Sequence, residues 1–232
     1  MVRIKGIQKT SLIDYPGKMS AILFTAGCNM RCPFCQNPDL IHKTEELPDI
    51  PEDEIIEFLK DRKKWLDGIC ISGGEPLLHH DTPKLMQKIK DIGLLVKLDT
   101  NGLNPKLLKE IIDAKLVDYI AMDIKSDLDN YHLSSGGAID LTKIKESISL
   151  IMNSGIDYEF RSTVVPDFFD EKIVENIGMM VKGAKKFYLQ QFRSTVPLLD
   201  KSFEGKTPYE GEVLDKFKEI LENSVESVEV RK

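Results

Sequence analysis

The feature that most constrains how this chain can fold is an alternation. From about Met19 onward, apolar β-branched runs give way again and again to amphipathic, charged stretches. Short continuous apolar runs read as strands buried on both faces, and the 3.6-residue periodicity between them reads as helices that cover those faces. Repeated β-α units of this kind specify a parallel sheet with outer helices. Six strands are predicted, at residues 20–26, 68–72, 94–99, 117–124, 158–165 and 186–192. Helix starts are marked by Thr82-Pro83 and Asn104-Pro105, where a capping side chain precedes a proline at the first helical position, and by Thr207-Pro208 with Glu210 as a capping box. Pro51 opens a helix running to Trp65, and Asp140 and Asp170 cap two more. Six units fall short of the eight that close a barrel. The expectation is therefore an open, partial (β/α)6 barrel. It forms a single domain over residues 1–232, in which residues 1–18, with their Tyr15-Pro16-Gly17 turn, are a lead-in segment.

Composition removes several function classes. Thirty-two Lys and Arg against 38 Asp and Glu leave a net charge of −6, and the one basic run, residues 60–64, sits on a solvated helix face, so charge-driven nucleic-acid binding is not expected. The start, Met1-Val-Arg-Ile-Lys-Gly, lacks the apolar core of a signal peptide, and no run approaches the ~18 apolar residues of a membrane helix. A cytoplasmic protein without a membrane partner is expected. Of four cysteines, three fall within eight residues, a poor disulfide framework and a good metal-binding loop.

Parallel β-α proteins place their chemistry at the carboxyl ends of the strands. The unusual residues sit there. Strand one runs into Cys28-Asn-Met-Arg-Cys32-Pro-Phe-Cys35-Gln-Asn37, strand two into Gly73-Gly-Glu-Pro76, strand three into Asp99-Thr-Asn-Gly102 and strand four into Asp123-Ile-Lys125; strand five carries Arg161, and strand six ends at Gln190-Gln191. The cysteine spacing lets a short loop present three sulfurs to three irons of a cubane cluster, leaving the fourth iron without a protein ligand. The alternative is a structural zinc completed by His42 or Cys70, because such zinc takes four protein ligands. Cys70, inside Ile69-Cys70-Ile71, also reads as ordinary core.

Cys28-x3-Cys32-x2-Cys35 after a first strand, Phe34 before the third cysteine and Gly73-Gly74-Glu75-Pro76 after the second strand together resemble the radical S-adenosylmethionine (SAM) superfamily, over nearly the whole chain. The resemblance implies a [4Fe–4S] cluster on Cys28, Cys32 and Cys35, with SAM bound to the open iron through its amino and carboxylate groups. It also implies one-electron reduction and release of a 5′-deoxyadenosyl radical. Gly73 and Gly74 would let backbone approach the methionine amino group, with Glu75 carried along in that segment. The other reading of the glycines is a simple strand-to-helix turn. Phe34 is a lid over the cluster or a loop anchor, and Arg31 a loop charge. Asp99, Thr100 and Asp123 suit a monovalent cation near the cofactor carboxylate, ribose hydroxyls, or plain strand-end capping. Lys125 and Arg161 would neutralise a carboxylate in a poorly solvated cleft. No dedicated general base is expected, since hydrogen-atom abstraction needs none.

Within that superfamily, Ser11-Leu-Ile-Asp-Tyr-Pro-Gly17 and the cysteine loop are similar to glycyl-radical-enzyme activating proteins, most of all the longer type that serves anaerobic ribonucleoside-triphosphate reductase. That likeness implies a partner glycyl radical enzyme as protein substrate and flavodoxin or ferredoxin as reductant. The pyruvate formate-lyase activating enzymes share the Asp99-Thr100, Asp123-Ile-Lys125 and Arg161 positions, but carry a histidine near the sixth strand end, where this chain has Tyr188-Leu-Gln-Gln-Phe192. A small radical enzyme acting on a free metabolite is a further alternative. The loop at residues 126–138, with Ser134-Ser-Gly-Gly137, reads as a rim for the partner or as a plain connection.

Overall fold

The computed structural model describes residues 1–231. Sixteen strands and helices follow one another in chain order. They are β1 (Ile4–Ser11), β2 (Ser20–Thr25), α1 (Asp39–His42), α2 (Glu52–Arg62), β3 (Gly68–Gly73), α3 (Thr82–Ile92), β4 (Leu95–Thr100), α4 (Pro105–Asp113), β5 (Tyr119–Asp123), α5 (Tyr131–Ser135), α6 (Leu141–Asn153), β6 (Asp157–Val164), α7 (Glu171–Met180), β7 (Phe187–Gln191), α8 (Gly211–Glu222) and β8 (Val228–Arg231). Among the described residues the strands form one eight-stranded sheet in the order β1-β2-β3-β4-β5-β6-β7-β8. From β2 to β8 every pairing is parallel, while β1 runs antiparallel to β2. Among the described residues no pairing joins β8 back to β1, so the half-barrel stays open along one side.

The six predicted strands are β2 to β7. Their apolar positions, among them Leu23, Ile71, Leu98, Ile120, Phe160 and Leu189, pack against outer helices through Ile55, Leu85, Leu108, Ile148, Ile177 and Leu221. Asn104, Asp140 and Asp170 cap as expected, accepting hydrogen bonds from the Leu107, Thr142 and Ile173 amides at 3.2, 3.1 and 2.8 Å. Two caps differ. Asp81 takes the cap position before α3, and the Thr82 hydroxyl donates instead to the Pro76 carbonyl at 2.7 Å. Before α8 the cap is Glu210 itself, so the helix begins three residues after the predicted proline site.

Two strands were not predicted. The lead-in segment contains β1, whose mostly half-exposed or exposed residues break the apolar alternation because an edge strand buries little. At the other end β8, Val228-Glu-Val-Arg231, is too short and too charged for a periodicity signal. No helix among the described residues is long and apolar enough to cross a membrane.

Candidate active site

The cysteine loop leaves β2 at Thr25 and is held on three sides by backbone hydrogen bonds. The Arg31 amide donates to the Ser135 carbonyl (2.8 Å), the Leu199 and Asp200 amides donate to the Cys35 and Pro33 carbonyls (3.0 and 2.9 Å), and the Glu75 amide donates to the Gly27 carbonyl (2.8 Å). Residues 126–138 therefore brace the cluster loop through α5. Gly136 lies in the left-handed region at φ 76°, and a Cβ there would stand 2.0 Å from the Arg31 carbonyl oxygen. Gly136→Ala is expected to cost more than about 1 kcal/mol and to lower the iron content of the reconstituted protein, read by melting temperature and iron analysis.

Cys28, Cys32 and Cys35 all line a cleft of about 510 Å³ at the carboxyl ends of the strands. Two backbone amides point at their sulfurs, Met30 at Cys28 (3.4 Å) and Asn37 at Cys35 (3.5 Å), and the Asn101 carboxamide donates to Cys28 at 3.7 Å. N–H groups aimed at sulfur favour thiolate ligands. Burial, with Glu75 nearby, pushes the Cys28 thiol up, and burial takes Cys32 up to about 12, so without metal these two thiols keep their protons. Cys70 is elsewhere. Its thiol is fully buried within β3, 3.8 Å from the Lys97 ammonium, and is no fourth ligand for a zinc in the loop. The cleft donor set is three thiols presented along a loop, which fits one face of a cubane cluster.

The other predicted residues converge on the same cleft. Gly74 is squeezed by the cluster loop, since a Cβ would lie 1.8 Å from the Gly27 carbonyl oxygen, and the Gly73 carbonyl accepts from the Asn37 side chain at 3.3 Å. The glycines thus let β2 and β3 close up behind the loop. Glu75, 2 % exposed, accepts from the Thr100 hydroxyl and the Asn101 amide (both 2.7 Å) and from the Leu77 amide (3.0 Å). Burial pushes its carboxyl up to about 7 against those three donors. Phe34 is 5 % exposed, with its ring 6.0 Å from that of Phe168, which stacks on Phe203 at 5.5 Å. The ring is packed against this aromatic group and also lines the cleft.

The floor of the cleft is a ladder of charges. Arg161 Nε donates to Asp123 (2.5 Å) and its Nη2 lies 3.2 Å from Asp99; Lys125 donates to Asp123 at 2.9 Å. Sequence reasoning missed the next layer. Lys97 pairs with the other oxygen of Asp99, and the Ser72 hydroxyl donates to Asp99 at 3.0 Å. Glu159, with no exposed surface, takes both Arg231 nitrogens at 2.8 and 2.9 Å and the Tyr119 hydroxyl at 2.9 Å. Lys97 and Glu159 each lie two residues before Asp99 and Arg161 on the same strands, so each pair shares one face. A charge inside an apolar strand was the available signal. A larger depression, about 860 Å³ and lined by Ile148, Met152, Met179 and Asp127, lies among the outer helices and holds none of these groups.

The sequence profile described as the Radical SAM superfamily matches residues 22–180. A provisionally named glycyl-radical enzyme activating enzyme of Methanocaldococcus jannaschii is 38% identical over 197 residues, covering 82% of this chain and 79% of that protein. The chain belongs to the radical SAM superfamily, in its glycyl-radical-enzyme activating branch. As a radical SAM enzyme it takes a [4Fe–4S] cluster and SAM as cofactors. The pyruvate formate-lyase-activating enzyme of Clostridium pasteurianum is 31% identical over 195 residues, or 80% of this chain and 77% of that one. Among solved structures, Streptococcus suis SuiB bound to S-adenosylmethionine superposes with a TM-score of 0.68 at 14% identity, over 89% of this radical SAM chain and 48% of SuiB. A domain of the pyruvate-formate lyase-activating enzyme from Bacteroides vulgatus gives 0.55 at 17% identity, over 70% of this chain and 98% of that domain. At these identities the structures bear on the fold alone. The chain spans less than half of SuiB.

Proposed function

We propose that this radical SAM enzyme installs a glycyl radical on a partner enzyme, the anaerobic ribonucleoside-triphosphate reductase. The observation that carries the reading is the cleft itself, lined by three thiols at the carboxyl ends of the strands of an unclosed half-barrel. Gln190 and Gln191 line that cleft at the end of β7, where the pyruvate branch carries a histidine, and this favours the reductase as partner.

In this reading Cys28, Cys32 and Cys35 hold the cluster, and the chain 1–232 acts as one radical SAM domain in the cytoplasm. Bound together, cluster and SAM supply the reductive cleavage that makes the hydrogen-abstracting radical. Gly73, Gly74 and Glu75 line the amino end of the methionine moiety, and Phe34 fixes the loop from behind. Asp99, Thr100, Asp123, Lys125 and Arg161 orient the rest of the cofactor. Asp123 is shared between Arg161 and Lys125, which makes Lys125 the cation placed to receive the cofactor carboxylate. Flavodoxin or ferredoxin delivers the electron.

The test mixes anaerobically reconstituted protein, dithionite and SAM with each candidate partner and records 5′-deoxyadenosine and the glycyl electron-spin-resonance signal. A signal with the reductase is expected. A signal with pyruvate formate-lyase alone would move the assignment to the second reading, which the Clostridium relative favours. No 5′-deoxyadenosine with any partner would overturn the enzyme reading.

A further inference from the structure

The oxygen donors that could hold a monovalent cation are already engaged by the protein. Both oxygens of Asp99 are taken, one by the Lys97 ammonium and the other by Ser72 (3.0 Å) and Arg161 (3.2 Å). Asp123 is divided between Arg161 (2.5 Å) and Lys125 (2.9 Å). The Thr100 hydroxyl donates to Glu75 at 2.7 Å and accepts from the Gly102 amide at 3.1 Å. Lys97 reaches its place from inside β4, 1 % exposed, with the Cys70 sulfur 3.8 Å away and the Tyr119 ring centroid 6.0 Å away.

We propose that Lys97 is the built-in counter-cation of this site: its tethered ammonium does for Asp99 what a bound alkali-metal ion would do, so the protein binds SAM without one. A lysine head group suits the task because it is a compact point charge with three donors on a flexible stem. Desolvation opposes the charge, but the Asp99 carboxylate foremost more than offsets it, and the ammonium persists across neutral pH. A buried lysine with its own carboxylate is stable where an unpaired one would not be. The pairing is also built into the strand, because Lys97 and Asp99 stand two residues apart on the same face of β4. This makes Lys97 a positioning residue, acting on the cofactor through Asp99. The inference rests on the reading of the cleft as the SAM site.

Calorimetric titration of the cluster-loaded protein with SAM, in potassium, sodium and tetramethylammonium chloride at equal ionic strength, tests it. Wild-type affinity is expected to agree within about twofold in all three salts. Lys97→Met is expected to bind about tenfold more weakly in tetramethylammonium and to recover part of the loss in potassium or sodium. Wild-type binding that requires potassium or sodium would overturn the proposal. So would a Lys97→Met variant with wild-type affinity, or one whose loss no small cation restores, since Lys97 would then only be packing. If that variant does not fold, the wild-type salt series decides alone. Absence of SAM binding in every salt would count against the reading of the cleft instead.

Discussion

Arg161→Met is expected to destabilise the folded chain by about 3 to 5 kcal/mol and to abolish SAM binding. The guanidinium touches Asp123 on the neighbouring strand, Asp99 one strand further and, at 3.9 Å, Glu159 on its own strand. Without it, two buried carboxylates each keep a single lysine. Burial pushes Asp99 and Asp123 up, but Arg161 foremost, with Lys97 or Lys125, more than reverses this and holds both below the usual carboxylate range. A carboxylate whose folded pKa is depressed contributes stability that is present above its unfolded pKa and is lost as pH falls through the folded value. The wild type should therefore keep this contribution at neutral pH and lose it only in strong acid. In Arg161→Met both carboxyls rise, so the deficit should be greatest near about pH 7 and shrink as the pH is lowered and they take up protons. Denaturant titrations at two pH values read it; a deficit that grows in acid would contradict the assigned ladder.

Substituting alanine at Cys28, Cys32 or Cys35 is expected to remove the cluster and take 5′-deoxyadenosine formation to the detection limit. Cys70→Ala, by contrast, should keep full iron and sulfide content. The contrast follows from position: three thiols line the cleft, whereas Cys70 lies buried in β3 beside Lys97. In the proposed reading each loop sulfur would serve one iron, so a remaining pair would not compensate. Iron and sulfide analysis with the visible spectrum distinguishes the outcomes. Four variants with equal loss would place Cys70 among the ligands and revive the zinc-like set.

How much of the site was legible depended on how local each signal was. The cysteine loop, Gly73-Gly74-Glu75, Asp99, Asp123 and Lys125 stand where apolar runs end, Arg161 was singled out within its strand, and all were found in one cleft. Lys97 and Glu159 sit inside such runs, in Leu95-Val-Lys-Leu-Asp and Tyr158-Glu-Phe-Arg, and were overlooked because a buried charge has no meaning until its partner is known. Arg231 belongs to a strand whose periodicity is too short to see, yet it neutralises Glu159 from 72 residues away. The loop at 126–138 read as a rim or as a plain connection, and its contact with Arg31 became visible only when α5 was placed against the cluster loop.

By itself the sequence determined the parallel β-α order, the three thiols on one loop and the strand ends that carry chemistry, because periodicity, capping and ligand spacing act over a few residues along the chain. Tertiary structure alone decided which charges meet. Asp123 faces Arg161 because β5 and β6 pair in that register, and β4 sets Lys97 under Asp99 within reach of β3 and β6. Register is a property of the whole sheet, fixed by burying every apolar face at once, and a buried ion pair exists only after that choice has been made.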